Sequence, residues 1–218
     1  MDNKVLIAKR VAKELRTGDL VNLGIGLPTL VASYMAPNIE VFFQSENGII
    51  GMAPLPEQGM EDEFLTDAGG GHVGAIPGAC SLDSGLSFGL IRGGHLDVTV
   101  LGGLQVDALG RLANWMVPGK MVPGMGGAMD LVTGAKRVIV AMTHSSKAGP
   151  KIVEHCSLPL TSVRRVNRIV TELAVIEPTD EGLVLRETAP GVTTRQVLDA
   201  TGAKLCVPNL VPEMTIAA

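Results

Sequence analysis

Cysteine is scarce in this chain of 218 residues, and its three cysteines, Cys80, Cys156 and Cys206, are far apart. No two of them have the short spacing of a metal-binding or redox pair, so a disulfide framework is not expected. We predict buried, unreactive thiols in a reducing compartment.

Charge is sparse too, because charged residues make up 18% of the chain and the net charge is −4. No basic stripe is present, which argues against nucleic acid as a partner. No apolar run approaches the roughly 18 residues of a transmembrane helix, and the N-terminal stretch lacks the apolar core of a signal peptide. These absences predict a cytoplasmic protein that does not span a membrane.

Several catalytic signatures are missing. The histidines have no partners at metal-ligand spacing, so no metal is expected; they are His72, His95, His144 and His155. Neither a P-loop nor a Gly-x-Ser-x-Gly elbow occurs. Gly24 and Gly26 precede a predicted helix as in a dinucleotide loop, but Thr29 stands where the third glycine belongs. The signal for a dinucleotide site is therefore weak, and an NAD(P)-binding oxidoreductase stays open only as an alternative.

Glycine, in contrast, is abundant, with 27 residues against a usual share of about 7%. The glycines cluster between apolar runs, which indicates tight loops at strand ends. Apolar residues at helical spacing alternate with continuous apolar runs. Helices are predicted over 5–15, 28–35, 81–91, 127–132 and 193–200, strands over 20–23, 40–44, 96–101 and 137–142, a hairpin over 172–177 and 182–187, and loops over 54–71 and 114–126.

This alternation predicts an α/β fold with an open, mostly parallel sheet and helices on both faces, in a single domain over residues 1–218. Sheets of this kind bind ligands at the carboxyl ends of their strands. The segments 22–26, 45–48 and 102–103 each follow a predicted strand, so we expect them to converge on one crevice.

Glu46 is the acidic residue at one of these strand ends, flanked by Ser45, Asn47 and Gly48. A carboxylate oriented by hydroxyl and amide groups can act as a nucleophile or as a general base. The other interpretation is a surface glutamate beside an Asn-Gly turn, and spacing alone favours it.

The glycine-rich segment 124–130 precedes a predicted helix and offers bare backbone amides. Amides placed in this way stabilise a developing oxyanion. A tight turn that needs positive φ explains the glycines equally well.

Taken in order along the chain, the motifs resemble the β subunit of family I coenzyme A transferases. The resembling segments are 22–29, 44–48, 91–95, 112–116, 118–121, 124–130, 156–161 and 170–175. The resemblance implies an α/β fold shared with some sugar-phosphate isomerases.

The resemblance also implies roles for individual residues. Glu46 occupies the nucleophilic glutamate of the family's Ser-Glu-Asn-Gly motif, and the Gly127 amide belongs to the oxyanion hole. The residues implied to line the pocket for coenzyme A and substrate are Asn22, Gly24, Gly26, Asn47, Gly126 and Ala128.

The implied reaction transfers coenzyme A between an acyl-CoA and acetoacetate, butyrate or acetate, through a glutamyl-CoA thioester. Coenzyme A is then a substrate, and no permanently bound cofactor is required. Members of the family are either two separate subunits or one fused chain, and this chain resembles only the second half of the fused form. A separate α subunit is therefore implied, in an α2β2 assembly. The remaining alternatives are a 3-oxoadipate transferase, a phosphosugar isomerase or sensor, and a non-catalytic partner subunit.

Overall fold

The computed structural model describes residues 2–119 and 124–216, so the motif residues 120 and 121 and part of the predicted loop 114–126 lie outside the described residues. The helices are α1 (Asn3–Ala12), the 3-10 helix η1 (Leu27–Tyr34), α2 (Ser84–Arg92), α3 (Ala128–Gly134) and α4 (Thr194–Ala200). The strands are β1 (Leu20–Leu23), β2 (Phe42–Ser45), β3 (Ile49–Ala53), β4 (Gly74–Ser81), β5 (Val98–Leu101), β6 (Gln105–Asp107), β7 (Leu112–Ala113), β8 (Arg137–Ala141), β9 (Ser145–Ser146), β10 (Gly149–Pro150), β11 (Ile152–Val153), β12 (Arg168–Val170), β13 (Ala174–Thr179), β14 (Gly182–Thr188) and β15 (Leu205–Cys206).

One ten-stranded sheet, in the order β15-β14-β13-β12-β8-β5-β1-β2-β3-β4, organises the chain. Its central strands β12, β8, β5, β1 and β2 are parallel neighbours. Antiparallel pairs extend it at both ends, through β13 and β14 on one side and β3 and β4 on the other. The predicted open, mostly parallel sheet is confirmed.

Helices cover both faces of this sheet, as predicted. On one face, α1 and η1 pack through Ile7, Val11 and Val31 against inward residues of β1 and β5. On the other face, α2, α3 and α4 pack together with the small sheet β11-β6-β7. Apolar side chains buried on both faces explain why the central strands read as continuous apolar runs.

Capping residues set the helix boundaries. The Asp2 side chain accepts a hydrogen bond from Lys4 N at 2.8 Å and begins α1. Thr193 and Gln196 form a capping box at α4, at the predicted threonine cap. Asp83 caps α2, so this helix begins at Ser84 and the predicted start at 81 was wrong.

The sequence-based prediction also missed strands. Ser81 is the last residue of β4, an edge strand that contains Pro77. Strand β3 lies between β4 and β2 and pairs with both. Proline cannot donate to a strand ladder and is confined to edges, which is where it stands here. Within residues 2–119 and 124–216, no helix is long and apolar enough to cross a membrane.

The connections define where a ligand can bind. After β1 the chain passes through η1 on the α1 face, whereas after β5 it reaches α3 on the opposite face. Connections that leave neighbouring parallel strands on opposite faces open a crevice at the carboxyl ends of those strands. The crevice therefore lies beyond the ends of β1, β2 and β5.

Candidate active site

Glu46 stands at the tip of a hairpin that borders this crevice. Ser45, the last residue of β2, pairs with Ile49, the first residue of β3, so Glu46, Asn47 and Gly48 form a three-residue turn. Gly48 has φ +129°, and a Cβ at this position would overlap the carbonyl oxygen of Leu82. Only glycine fits, and the turn that presents Glu46 is fixed by this contact.

Asn22 is the group that binds the Glu46 carboxylate. It lies on β1, is 1% exposed, and donates from Nδ2 to Glu46 Oε2 at 3.1 Å. Glu46 itself is half-buried. A buried amide that donates to a partly exposed carboxylate leaves that carboxylate oriented and still accessible from the crevice.

Gly127 lies directly against the same carboxylate. A Cβ on Gly127 would stand 3.1 Å from Glu46 Cγ, 3.2 Å from Glu46 Oε1 and 3.3 Å from Phe88 Cζ. These distances are shorter than ordinary van der Waals contact, so a methyl group here would displace Glu46 by a few tenths of an ångström, although the φ of −79° is open to any residue. The alternative explanation, a tight turn that needs positive φ, is thus wrong for Gly127 but holds for Gly124 and Gly126, which have φ +94° and +54°.

Ala128 and Gly126 flank this contact. The Ala128 N–H donates to Met125 O at 3.2 Å, so this amide is already engaged within the turn. Gly126 is exposed, and a Cβ there would meet no described atom within 4 Å. Both residues are near Glu46 in the chain fold, and their roles in binding stay predictions.

Gly24 and Gly26, in the loop after β1, are glycines for different structural reasons. A Cβ on Gly24 would stand 3.1 Å from Leu101 Cδ2 and 3.2 Å from Val100 O, closer than ordinary contact, so close packing against β5 favours glycine here. Gly26 has φ +91° and faces open space before η1. The resemblance of this loop to a dinucleotide site is accounted for by packing and turn geometry.

The long loop 54–73 is fastened over the Glu46 turn. Asn47 Nδ2 donates to Thr66 O at 2.7 Å, and Ala68 N donates to Ser45 Oγ at 2.9 Å. Asp67 Oδ1 accepts from the amides of Gly69 and Gly71, which closes the glycine-rich bend. The side-chain amide of Asn47 thus binds this loop, and a contact of Asn47 with coenzyme A stays a prediction.

A buried polar row behind Glu46 was not recognised from the sequence. Gln44, Asn22 and Thr99 occupy paired positions on β2, β1 and β5 and are at most 2% exposed. Ser87 on α2 completes the row, through a 3.0 Å hydrogen bond from Gln44 Nε2. The signal was available: β1 and β5 each carry one polar residue among apolar ones, and β2 carries Gln44 and Ser45 after two phenylalanines.

Other candidate groups lie outside the crevice. His144 is fully buried between the hydroxyls of Thr171 and Thr201, and burial lowers its pKa to about 4. Burial raises the pKa of the Cys156 thiol to about 11. The expectation of buried thiols is wrong for Cys80, which is exposed on the edge strand β4, and Cys156 and Cys206 are only half-buried.

Metal ligands do not cluster in the described part of the chain: no group of three His, Cys, Asp or Glu side chains there could hold an ion. The titratable residue that the crevice presents at its hairpin tip is Glu46. An oriented carboxylate next to a glycine amide can act as a nucleophile on a carbonyl carbon.

Comparison with known proteins identifies the same features. The family described as "Coenzyme A transferase" matches residues 4–200. The chain is 54% identical to the "Acetate CoA-transferase subunit beta" of Escherichia coli K12, over 94% of each chain. It is 46% identical to the human mitochondrial "Succinyl-CoA:3-ketoacid coenzyme A transferase 2", over 99% of this chain and 43% of that protein.

A solved structure has the same fold. The acyl-CoA transferase YdiF of Escherichia coli O157:H7, as the apoenzyme, superposes with a TM-score of 0.79 at 23% identity, over 98% of this chain and 43% of that chain. This chain thus spans less than half the length of that structure. The resemblance predicted from the ordered motifs is confirmed, and the chain belongs to the coenzyme A transferase family.

Proposed function

We propose that this chain is the glutamate-bearing subunit of an enzyme that transfers coenzyme A between an acyl-CoA and a short-chain carboxylate. The observation that carries the proposal is the Glu46 carboxylate, held by Asn22 at 3.1 Å and packed against Gly127 at the crevice of the sheet. Coenzyme A is a substrate here, and Glu46 is the carrier of the transferred group.

The proposed reaction begins when a Glu46 oxygen attacks the thioester carbonyl of the donor. The carbon–sulfur bond breaks, CoA leaves as the thiolate, and an acyl–glutamyl anhydride remains on Glu46. The thiolate then attacks the glutamyl carbonyl, which releases the first carboxylate and leaves a Glu46–CoA thioester. A second carboxylate enters and the steps run in reverse, so Glu46 is the one covalent carrier that the reaction needs.

Gly127 has a specific role in this proposal. Attack on the donor thioester creates a tetrahedral intermediate with negative charge on the former thioester carbonyl oxygen. The Gly127 amide is the donor we assign to that oxyanion, since a Cβ on Gly127 would stand only 3.2 Å from Glu46 Oε1, closer than ordinary contact. Removal of one such donor typically lowers kcat by about 10²–10³-fold.

The proposed acceptors are acetoacetate, butyrate and acetate. Support comes from the motif resemblance of residues 115–128 and from the 54% identity with a protein named for acetate. Initial rates with these three acids and with 3-oxoadipate, under equal donor concentrations, separate the proposed class from the nearest alternative. A clear preference for 3-oxoadipate would overturn the substrate assignment.

The proposed partner is an α subunit, in an α2β2 assembly. The human relative is a longer protein, of which this chain matches 43%. Beside the crevice, loop 54–73 exposes Leu55, Met60 and Phe64, which are 66%, 74% and 86% exposed, and Ile25 is 75% exposed after β1. Large apolar side chains exposed around one site are typical of a surface that a partner covers.

Assembly can be tested on this surface. Phe64→Ser is expected to weaken complex formation with a co-expressed α subunit, measured by the mass of the complex in solution. Leu210→Ser, which changes a side chain that is 83% exposed elsewhere on the chain, is the control and should assemble normally. Equal assembly of the two variants would contradict the assigned surface.

The chemical role of Glu46 is tested with matched variants. Glu46→Gln is expected to abolish CoA transfer in the reconstituted complex, while thermal stability and assembly stay unchanged. Glu181→Gln is the control, because Glu181 also precedes the glycine of a hairpin turn, between β13 and β14. Full activity of Glu46→Gln would mean that this chain is a non-catalytic partner.

A further inference from the structure

Three buried polar side chains are aligned across the centre of the sheet, behind the proposed nucleophile. Gln44, Asn22 and Thr99 are paired in register on β2, β1 and β5. Their exposures are 2%, 1% and 0%. Polar groups are costly to bury unless their hydrogen bonds are satisfied, so their partners determine which way each one points.

The orientation of Gln44 follows from one backbone acceptor. Its Nε2 lies 2.9 Å from Ser45 O and 3.0 Å from Ser87 Oγ. A carbonyl oxygen can only accept, so the NH₂ end of Gln44 must face Ser45 and Ser87. Oε1 of Gln44 is thereby directed toward Asn22.

The orientation of Asn22 follows from that of Gln44. Asn22 Nδ2 lies 3.0 Å from Gln44 Oε1 and 3.1 Å from Glu46 Oε2, and 3.2 Å from Gln44 O. On its other side, Thr99 Oγ1 stands 3.5 Å from Asn22 Oδ1. A reversed Asn22 amide would direct Oδ1 at the Gln44 oxygen and at the Glu46 carboxylate, and these contacts would join acceptors to acceptors.

We propose that Gln44 is a positioning residue for Glu46: the relay from Ser45 O through Gln44 and Asn22 keeps an N–H directed at Glu46 Oε2. The relay occupies one carboxylate oxygen and leaves the other, Oε1, on the Gly127 side as the attacking atom. This inference rests on the proposed nucleophilic role of Glu46 and adds to it the choice of oxygen and the residue that enforces that choice.

The relay makes a prediction that burial alone does not make. Gln44→Met keeps the length of the side chain and removes both ends of the relay, so Asn22 can rotate and Glu46 loses its fixed donor. A displacement of about 1 Å near the reacting atoms costs about a hundredfold in rate. We therefore expect kcat to fall by about ten- to a hundredfold, with KM for acyl-CoA unchanged within about twofold.

The experiment uses the complex reconstituted with the α subunit. Single-turnover formation of the Glu46 adduct from acyl-CoA is followed in time; its rate constant reports on folded molecules only, and its plateau reports on their fraction. Gln105→Met is the matched control, because Gln105 also bonds a serine, Ser157 at 3.0 Å, but lies on β6 away from Glu46. The control should keep the wild-type rate constant.

A double-mutant cycle separates positioning from structure. Because Gln44 acts through Asn22, Gln44→Met should slow the adduct rate constant much less in an Asn22→Ala background than in the wild type. Equal slowing in both backgrounds, or a Gln44→Met rate constant equal to that of Gln105→Met, overturns the inference. Absence of any adduct in the wild type would instead refute the proposed function, so the two failures are distinguishable.

Discussion

The effect of a Gly127→Ala substitution can be worked out in detail from the structure, because the backbone angles and the neighbours of the new methyl group are known. Gly127 has φ −79° and ψ −1°, so alanine fits the backbone without strain. The new methyl group would stand 3.1 Å from Glu46 Cγ and 3.2 Å from Oε1, below the 3.4–4 Å of ordinary contact. Phe88 limits the escape of the methyl at 3.3 Å, so Glu46 has to move by a few tenths of an ångström.

The expected cost falls on the reaction more than on the fold. Alanine in place of glycine at the first residue before a helix costs about 1 kcal/mol of unfolding free energy. A displacement of a few tenths of an ångström corresponds to roughly a tenfold loss of kcat, if about 1 Å costs a hundredfold. The methyl group also narrows access to the Gly127 amide, which adds to the loss.

The measurement is the initial rate of CoA transfer in the reconstituted complex, together with the thermal midpoint. Gly89→Ala is the control, because Gly89 lies within α2 and a Cβ there would meet no described atom within 4 Å. Helix propensity predicts that this control is slightly more stable and fully active. If Gly127→Ala kept wild-type kcat, the assigned contact between Gly127 and Glu46 would not matter for the reaction.

Two further predictions concern stability. Gly48→Ala should lower the unfolding free energy by about 2–4 kcal/mol, because its Cβ overlaps Leu82 O; Gly18→Ala, with φ +88° and open space, should cost only about 1 kcal/mol in denaturant titrations. The lowered pKa of His144, about 4, means that the unfolded chain takes up a proton near pH 6.5 that native His144 does not bind until about pH 4. The unfolding free energy should therefore fall by up to about 3 kcal/mol as the pH is lowered from 6.5 to 4. The His144→Gln variant should lose this pH dependence, whereas a His155→Gln variant, which changes an exposed histidine, should keep it.

Much of the central sheet could be predicted because its strands are apolar on both faces. β1, β5 and β8 were predicted to within one or two residues at each end. The edge strand β4 was not predicted, because it contains Pro77 and the positive-φ Gly78, and these residues are typical of loops. β12 has three residues, too few for a pattern, and takes its place from its parallel neighbour β8. That the chain forms a single domain stays a prediction.

The site was partly visible for a different reason. Spacing alone favoured a surface turn at Glu46; the turn is confirmed, since Glu46 lies in a hairpin turn, but the residue is half-buried and bonded to Asn22. A turn residue and a candidate nucleophile are thus the same residue. The approach of Gly127 could not be read from local sequence, because it depends on how α3 packs beside α2 on one face of the sheet. The family resemblance supplied what local pattern could not.

The central claim is that Glu46 carries the transferred group, and peptide mass mapping of the trapped intermediate tests it most directly. The reconstituted complex is incubated with acyl-CoA without acceptor, treated with hydroxylamine or left untreated, and digested. The account predicts a CoA thioester on Glu46, converted by hydroxylamine to a hydroxamate, and neither on Glu181 nor in the Glu46→Gln variant. An unmodified Glu46 peptide from a complex that turns over normally would contradict it.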